Sequence, residues 1–290
     1  MLTILTSVII PIFLIIAVGL WYASRHRIQV DSVNQINMDI FTPALIFSAL
    51  NKPFPDTSSL DLLIYCAIFI VIFPGLLTLL LLKPLKWNFK TLVPPVMFRN
   101  SGNLGIPLLV FAFGEDILPI AITLFLVENT LHFSLGMLII HGSINPIKIL
   151  KTPMIIATIL GISVAISGID LPVWLTRFVD LTGQVAIPLM LFTLGVRLLD
   201  IDIKDWRFGF TSSLWAAISG FLSFLVIYLF IDLTDIQLAT LLIFSILPPA
   251  VLNYLVAERY QIEPAKVATM VLFSNALSLI WLMPALNWVL

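Results

Sequence analysis

Charged residues are scarce in this sequence, and their scarcity argues against a soluble globular fold. Only 11% of the 290 residues are Asp, Glu, Lys or Arg, against roughly 25% in soluble domains. Apolar residues make up 60% of the chain, and the mean hydropathy is +1.10. A soluble fold cannot bury so much apolar surface, so we predict an all-α polytopic membrane protein whose surroundings are a lipid bilayer.

Cysteine and the common catalytic motifs are also missing or nearly so. The single cysteine, Cys66, lies in an apolar run, which excludes a disulfide framework and a cysteine-ligated metal. The sequence contains no HExxH, no GxSxG and no Walker-type GxxxxGKS or GxxxxGKT. We therefore expect no enzyme activity, no cofactor and no metal. A net charge of −1 indicates no nucleic-acid partner.

Hydropathy and helix breakers divide the chain into ten predicted spans joined by short connections. The first apolar stretch follows no basic segment and precedes no small-residue cleavage site, so we expect it to be retained as a span. The longest connections have about ten residues, which leaves no room for a soluble domain. The spans are predicted at roughly 2–22, 33–51, 60–82, 92–113, 118–141, 152–169, 172–196, 208–231, 237–257 and 265–289.

Basic residues lie almost entirely on one side of this predicted topology. Twelve of the 15 Lys and Arg residues fall in the connections after spans 1, 3, 5, 7 and 9, whereas the opposite side has only Lys52 and Arg177. By the positive-inside rule the basic side is cytoplasmic, so both termini are expected outside the cytoplasm. The twelve are Arg25, Arg27, Lys83, Lys86, Lys90, Lys148, Lys151, Arg197, Lys204, Arg207, Arg259 and Lys266.

The second half of the sequence repeats features of the first at a nearly constant spacing of 142 to 146 residues. The matched pairs are Pro11 and Pro153, Pro43 and Pro188, and Asn129 and Asn275. Five spans per repeat is an odd number, so the two halves must enter the membrane from opposite sides. Such an inverted repeat is typical of secondary transporters. We predict a first repeat over 1–145 and an inverted second repeat over 146–290.

Spans 4 and 9, at equivalent positions of the repeat, both contain residues that break a helix. Span 4 holds FRNSGNLGIP (98–107) and span 9 holds ILPPAVLNYL (246–255). Unwound backbone inside a bilayer is tolerated only against protein or a wet cavity, and paired breaks are typical of a transporter's binding site. The alternative is two ordinary proline kinks that bind nothing. The substrate-binding residues predicted here are Asn100, Asn103, Gly105, Pro107, Pro248, Pro249 and Asn253, together with Asn129 and Asn275.

Arg99 and Glu128 are the charged residues expected near the middle of the bilayer. A charged side chain at the centre of a membrane helix costs about 2.5–3.5 kcal/mol on insertion scales. We therefore expect the two to form an ion pair, with His132 one turn beyond Glu128 as a further neighbour. Both a structural pair and a proton-carrying site remain open at this point.

These motifs resemble those of the auxin efflux carrier family of permeases. The stretch NSGNLGIP (100–107), the proline-broken span 9 and the five-plus-five organisation carry the resemblance, which covers the whole chain. It implies a fold like that of bile acid/sodium symporters, with a scaffold of spans 1, 2, 6 and 7 and a transport domain of spans 3–5 and 8–10. Family members export auxin in plants, and bacterial relatives are associated with malate, malonate and similar carboxylates.

The resemblance and the breaks together favour a secondary transporter for a small organic anion, working by alternating access at a crossed-helix site. A short loop at 142–151 favours a prokaryotic permease, which we place in a bacterial inner membrane. The alternative is a cation- or proton-coupled antiporter or symporter of a related inverted-repeat fold, in which Glu128 or Asp39 would carry the ion. The expected partners are the organic anion and the bilayer, and a homodimer is compatible with this interpretation.

Overall fold

The computed structural model describes residue 6 and residues 10–51, 60–142, 146–197 and 205–290, and over these residues the fold is helical without a β-strand. The chain forms thirteen described helices, which we number in order. They are α1 (Ile10–Arg25), α2 (30–50), α3 (Leu60–Leu85), α4 (Phe89–Met97), α5 (Ser101–Phe113), α6 (Glu115–His141), α7 (Pro146–Leu150), α8 (Pro153–Ser167), α9 (173–197), α10 (Trp206–Phe230), α11 (Asp235–Ser245), α12 (Val251–Arg259) and α13 (Pro264–Val289).

The helices lie at the predicted spans to within a few residues, so the all-α class is confirmed. Helices α3, α6, α9, α10 and α13 are long and apolar enough to cross a membrane by length and composition. Helices α1, α5, α8 and α11 are shorter but also apolar. The start of the first predicted span, Lys52, Lys204 and the expected repeat boundary at 143–145 lie outside the described residues.

One group of helices packs through glycines that bring two backbones together. A Cβ on Gly19 of α1 would lie 2.1 Å from the carbonyl oxygen of Phe192 in α9, and one on Gly195 would lie 1.9 Å from that of Ile16. Gly161 of α8 faces α2 in the same manner, with Leu50 Cβ at 3.2 Å. Small residues permit this close approach between membrane helices. Hence α1 packs along α9, and α8 packs along α2.

The second group of helices is built around α3, α10 and α13, with the interrupted helices between them. The indole N–H of Trp215 in α10 donates to Thr78 Oγ1 in α3 over 2.9 Å. On the other side of α10, Ser274 Oγ of α13 donates to Ser213 Oγ over 2.8 Å. Such hydrogen bonds between membrane helices contribute about 0.6 kcal/mol each on average. The bond between Trp215 and Thr78 joins the first half of the chain to the second, and the bond between Ser274 and Ser213 joins two helices of the second half.

Both predicted helix breaks are present, and they meet. Helix α4 ends at Met97 before α5 begins at Ser101, and α11 ends at Ser245 before α12 begins at Val251. The two connections pair as an antiparallel bridge between Arg99 and Pro249. We call residues 98–100 and 246–250 together the crossover. Proline cannot donate a backbone hydrogen bond, so the bridge does not extend into a sheet.

Pro107 lies elsewhere than expected. The sequence predicted that it would stand at the interruption of span 4, but it is the second residue of the α-helical segment Ile106–Phe113. The extended backbone lies upstream, and a single π-helical turn, Ser101–Gly105, separates it from that segment. Proline has no N–H to donate to the preceding turn, so its place just after the π-turn agrees with the irregular geometry there.

Candidate functional site

The backbone groups released at the crossover hydrogen bond to each other. The N–H of Asn100 donates to the carbonyl of Pro248 over 2.7 Å, and the N–H of Ala250 donates to the carbonyl of Phe98 over 3.1 Å. An unsatisfied backbone group in hydrocarbon would cost several kcal/mol. The reciprocal pairing therefore allows two interrupted helices to stand side by side within the protein.

Arg99 stabilises the crossover through its guanidinium group. The side chain is only 3% exposed, and it donates to the carbonyls of Leu247 over 2.9 Å and Ala216 over 3.0 Å. Gly220 leaves room for it, since an added Cβ would lie 2.6 Å from Arg99 Nη2 and 1.9 Å from the carbonyl oxygen of Ser245. The positive charge thus stands beyond the C-terminus of α11, where the helix dipole favours a cation.

Three of the predicted asparagines also hold the crossover together. The amide of Asn100 donates to Asn275 Oδ1 over 3.2 Å, and Asn275 donates to the carbonyls of Val271 and, more weakly, Pro249. Asn253 donates to the carbonyl of Phe98 over 2.8 Å. Because their donors are engaged within the protein, Asn253 and Asn275 serve chiefly to fix the two interrupted helices.

A cavity of about 130 Å³ lies beside the crossover. Helix α2 and the methionines Met154 of α8 and Met190 of α9 form one wall, and the crossover, α5, α6 and α12 form the other. Helices α5 and α12 both begin at this cavity, so their N-termini bring partial positive charge to it. The polar residues that line it are Asn34, Asn37, Thr42, Arg99, Asn100, Ser101, Asn103, Glu128, Asn129 and His132.

Three π-helical turns supply lining residues to this cavity. They are Asn37–Phe41 in α2, Ser101–Gly105 in α5 and His132–Gly136 in α6. A π-turn widens the helix by one residue and occurs frequently at functional sites. Here Asn37, Asn103 and His132 all reach the cavity from such turns. The sequence pattern did not predict these turns.

Several buried polar atoms at the cavity have no hydrogen-bond partner among the described residues. They are Asn37 Oδ1, Thr42 Oγ1, Arg99 Nε and Glu128 Oε2, and all four side chains line the cavity. An unpaired buried polar group costs about 1–3 kcal/mol. Asn253 Oδ1 is a further such atom and faces a smaller cavity. The main cavity therefore offers hydrogen-bonding groups to a polar ligand.

Glu128 contacts Arg99 differently from the direct ion pair that the sequence suggested. Its carboxylate is 2% exposed, and the Ser101 side chain and the backbone N–H of Arg99 lie close enough to favour its charged form. The Arg99 guanidinium supplies opposite charge nearby but donates to backbone carbonyls instead. The reason is geometric, because the planar guanidinium fork reaches the carbonyl of Leu247 at the break and that of Ala216 in the adjacent helix α10. His132 stacks on Phe98, with ring centroids 4.3 Å apart.

The predicted site residues fall into two groups. Asn100, Asn103, Asn129, Arg99 and Glu128 line the cavity. The remaining six do not line it: Pro248, Pro249, Asn253 and Asn275 belong to the crossover or hydrogen bond to it, and Gly105 and Pro107 lie further along α5. Among the amides at the cavity, Asn103 makes no hydrogen bond with other described residues, and Asn129 only a weak one to Met154 Sδ at 3.7 Å. Of the predicted amides, Asn103 and Asn129 are therefore the ones most available to a ligand.

Sequence reasoning missed the contribution of α2. Asn34, Asn37 and Thr42 all reach the cavity from this helix. Asn34 and Asn37 are three residues apart, a spacing that places two side chains on one helix face. Polar residues at that spacing within an apolar span were a usable signal, although nothing local showed that the face meets the crossover.

Comparison with known proteins places the chain among transporters. The family described as "Membrane transport protein" matches residues 4–149 and 141–284. An uncharacterised transporter of Methanocaldococcus jannaschii is 24% identical over 270 residues, which is 86% of each chain. A candidate malonate transporter of Rhizobium meliloti is 24% identical over 196 residues, 62% of this chain and 61% of that protein. The chain thus belongs to the Membrane transport protein family, that of the auxin efflux carriers which its motifs resemble.

Proposed function

We propose that this protein is a secondary transporter that moves a small organic anion, a carboxylate, by alternating access at the crossover. The observation that carries the proposal is the cavity, because two helix N-termini and the free amide of Asn103 meet there. Helix N-termini at interrupted spans are the usual partners of anionic groups in secondary transporters. The similarity to a candidate malonate transporter makes malonate the first compound to test.

The cavity also suggests how one ligand could be held by two parts of the protein. Asn103 and Asn129 would donate to the carboxylate from the crossover side, while Asn37 and Thr42 would contact the ligand from α2. Asn100, with Gly105, Pro107, Pro248, Pro249, Asn253 and Asn275, would hold the interrupted helices in place. A ligand that bridges two groups of helices can bias their relative position, which alternating access requires.

We further infer that the chain consists of two inverted five-helix repeats, 1–145 and 146–290. Reciprocal packing supports this, since the first helix of each half, α1 or α8, packs on the second helix of the other, α9 or α2. These four would form the scaffold, and the remaining spans would form the transport domain. Asn34 and Leu255, at one side of the cavity, lie near the basic connections, so the cavity would open to the cytoplasm.

The proposed orientation has a direct test in cysteine labelling. With Cys66 replaced by alanine, Pro146→Cys should react with an impermeant maleimide only after the cells are opened, because 142–151 is predicted to be cytoplasmic. Leu290→Cys should react in intact cells. Both positions are exposed in the structure, so access to the reagent depends on the side of the membrane. Labelling of residue 146 from outside intact cells would contradict the topology.

Ligand-dependent stability tests the transported class. Malonate at about 100 times its dissociation constant should stabilise the purified protein by about 2.7 kcal/mol, measured as a rise in the melting temperature. Malonamide, which has the same shape but no charge, should give a much smaller rise. If sodium stabilises the protein and no monocarboxylate or dicarboxylate does, the cation-coupled alternative is favoured and the organic-anion proposal is wrong.

A further inference from the structure

Glu128 has a feature that anion binding alone does not require. Its carboxylate is almost fully buried, and Oε2 has no hydrogen-bond partner among the described residues. The side chain lines the cavity at the crossover, the place where the proposed function puts a second carboxylate. A transporter of anions thus carries an anionic group of its own at its binding site.

The charges around this carboxylate are few. Within the described residues, the titratable side chains that line the cavity are Arg99, Glu128 and His132, contributed by the crossover and α6. The elements on the opposite wall, α2, α8 and α9, contribute only amide, hydroxyl and apolar groups. His132 stacks face to face on Phe98. Arg99 is therefore the permanent cation available to offset negative charge in the cavity.

A bound anion changes this balance. One cation can offset one anion, and the volume of about 130 Å³ holds the ligand within a few ångström of Glu128. Two carboxylates that share a site surrounded by protein do not both stay ionised, and one of them takes a proton. Of the groups present, the free Oε2 of Glu128 can accept a proton and then donate it in a hydrogen bond to the ligand.

We propose that Glu128 takes up one proton when the carboxylate binds, so that the anion and the proton cross the membrane together. This inference rests on the proposed function of the same site. At a pH where the empty protein holds Glu128 in its ionised form, this carboxylate offsets Arg99. In the loaded protein the ligand offsets Arg99, and Glu128 Oε2 carries a proton taken from water on the open side. Release of the ligand on the far side returns that proton to water. The net cargo is neutral for a monoanion and carries one negative charge for a dianion.

The test is a count of protons during malonate binding. Purified protein in weak buffer is titrated with malonate, and proton uptake is read with a pH indicator while binding is followed by calorimetry. The titration is repeated across a series of pH values. Where Glu128 is ionised in the empty state, we expect about one proton per malonate for the natural protein and a dissociation constant that rises tenfold per pH unit. Glu128→Gln should bind malonate without proton uptake and without this pH dependence. Glu115→Gln, which alters an exposed carboxylate on the same helix, should behave like the natural protein.

The outcomes separate this inference from the proposed function. Malonate binding by the natural protein without proton uptake at any pH of the series overturns the inference and leaves the proposed function standing. A requirement for sodium, tested against choline, with no proton uptake also overturns it. If Glu128→Gln does not fold, the proton count on the natural protein is sufficient to accept or reject the inference. Failure of every organic acid to bind at any pH overturns the proposed function itself.

Discussion

Replacing Arg99 by alanine is expected to lower the free energy of unfolding by about 3–5 kcal/mol, the range for removal of one partner from a buried charge pair. The change would remove the hydrogen bonds that the guanidinium donates to the carbonyls of Leu247 and Ala216. It would also leave the carboxylate of Glu128 without the nearby positive charge. Unfolding in mixed micelles by titration with SDS measures the loss, and the yield of folded protein should fall with it.

Two further variants identify the source of that loss. The double change Arg99→Ala and Glu128→Gln should recover part of the stability, because no uncompensated carboxylate remains. Arg207→Ala is the matched control, since Arg207 is exposed at the start of α10 and stacks on Trp206. Surface changes of that kind stay within about 0.5 kcal/mol. If the double variant is no more stable than Arg99→Ala, Glu128 does not depend on the charge of Arg99.

Replacing Pro107 by alanine is expected to reduce malonate uptake into proteoliposomes by roughly 10- to 100-fold, as a misplacement of about 1 Å can do at a preorganised site. Alanine supplies a backbone N–H, which lets regular α-helix extend back through the π-turn at Ser101–Gly105. That rearrangement would turn Asn103 away from the cavity. The melting temperature should hold or rise, because alanine is the most favourable residue in a helix.

Asn103→Ala and Pro11→Ala are the comparisons for this result. Asn103→Ala removes a hydrogen bond to a charged ligand, about 1.5–3 kcal/mol, so the malonate dissociation constant should rise roughly 10- to 100-fold with the fold intact. Pro11 lies in α1 and is far from the crossover in sequence. Its replacement should have little effect on uptake. Normal uptake by both the Asn103→Ala and Pro107→Ala proteins would mean that the breaks are only kinks.

Short stretches of the sequence were sufficient to predict the positions of the helices and of the two helix breaks. The apolar runs placed the helices to within a few residues, because helix formation in a membrane depends on composition over about 20 neighbouring residues. Proline and glycine near residues 98–107 and 246–255 correctly indicated two interruptions, since each acts on its own backbone. Asn103 and Glu128 were likewise selected as polar groups in apolar surroundings, and both line the cavity.

The roles of individual polar residues depended on contacts that no local pattern contains. Arg99 donates to Leu247, 148 residues away, and Asn100 to Asn275, 175 residues away. Because of these distant partners, Arg99 and Asn100, which were expected at a ligand site, hydrogen bond within the protein and stabilise the crossover. The same packing brings Asn37 and Thr42 of α2 to the cavity.

The sequence by itself thus determined the class of the protein, the positions of its helices and the places where two of them break, because these follow from short-range composition. Only the tertiary structure decided which polar atoms are satisfied within the protein and which, such as Glu128 Oε2 and Asn37 Oδ1, find no partner among the described residues at the cavity. The physical reason is that hydrogen bonding of a buried side chain is settled by its neighbours in space. At this crossover those neighbours come from the opposite half of the chain.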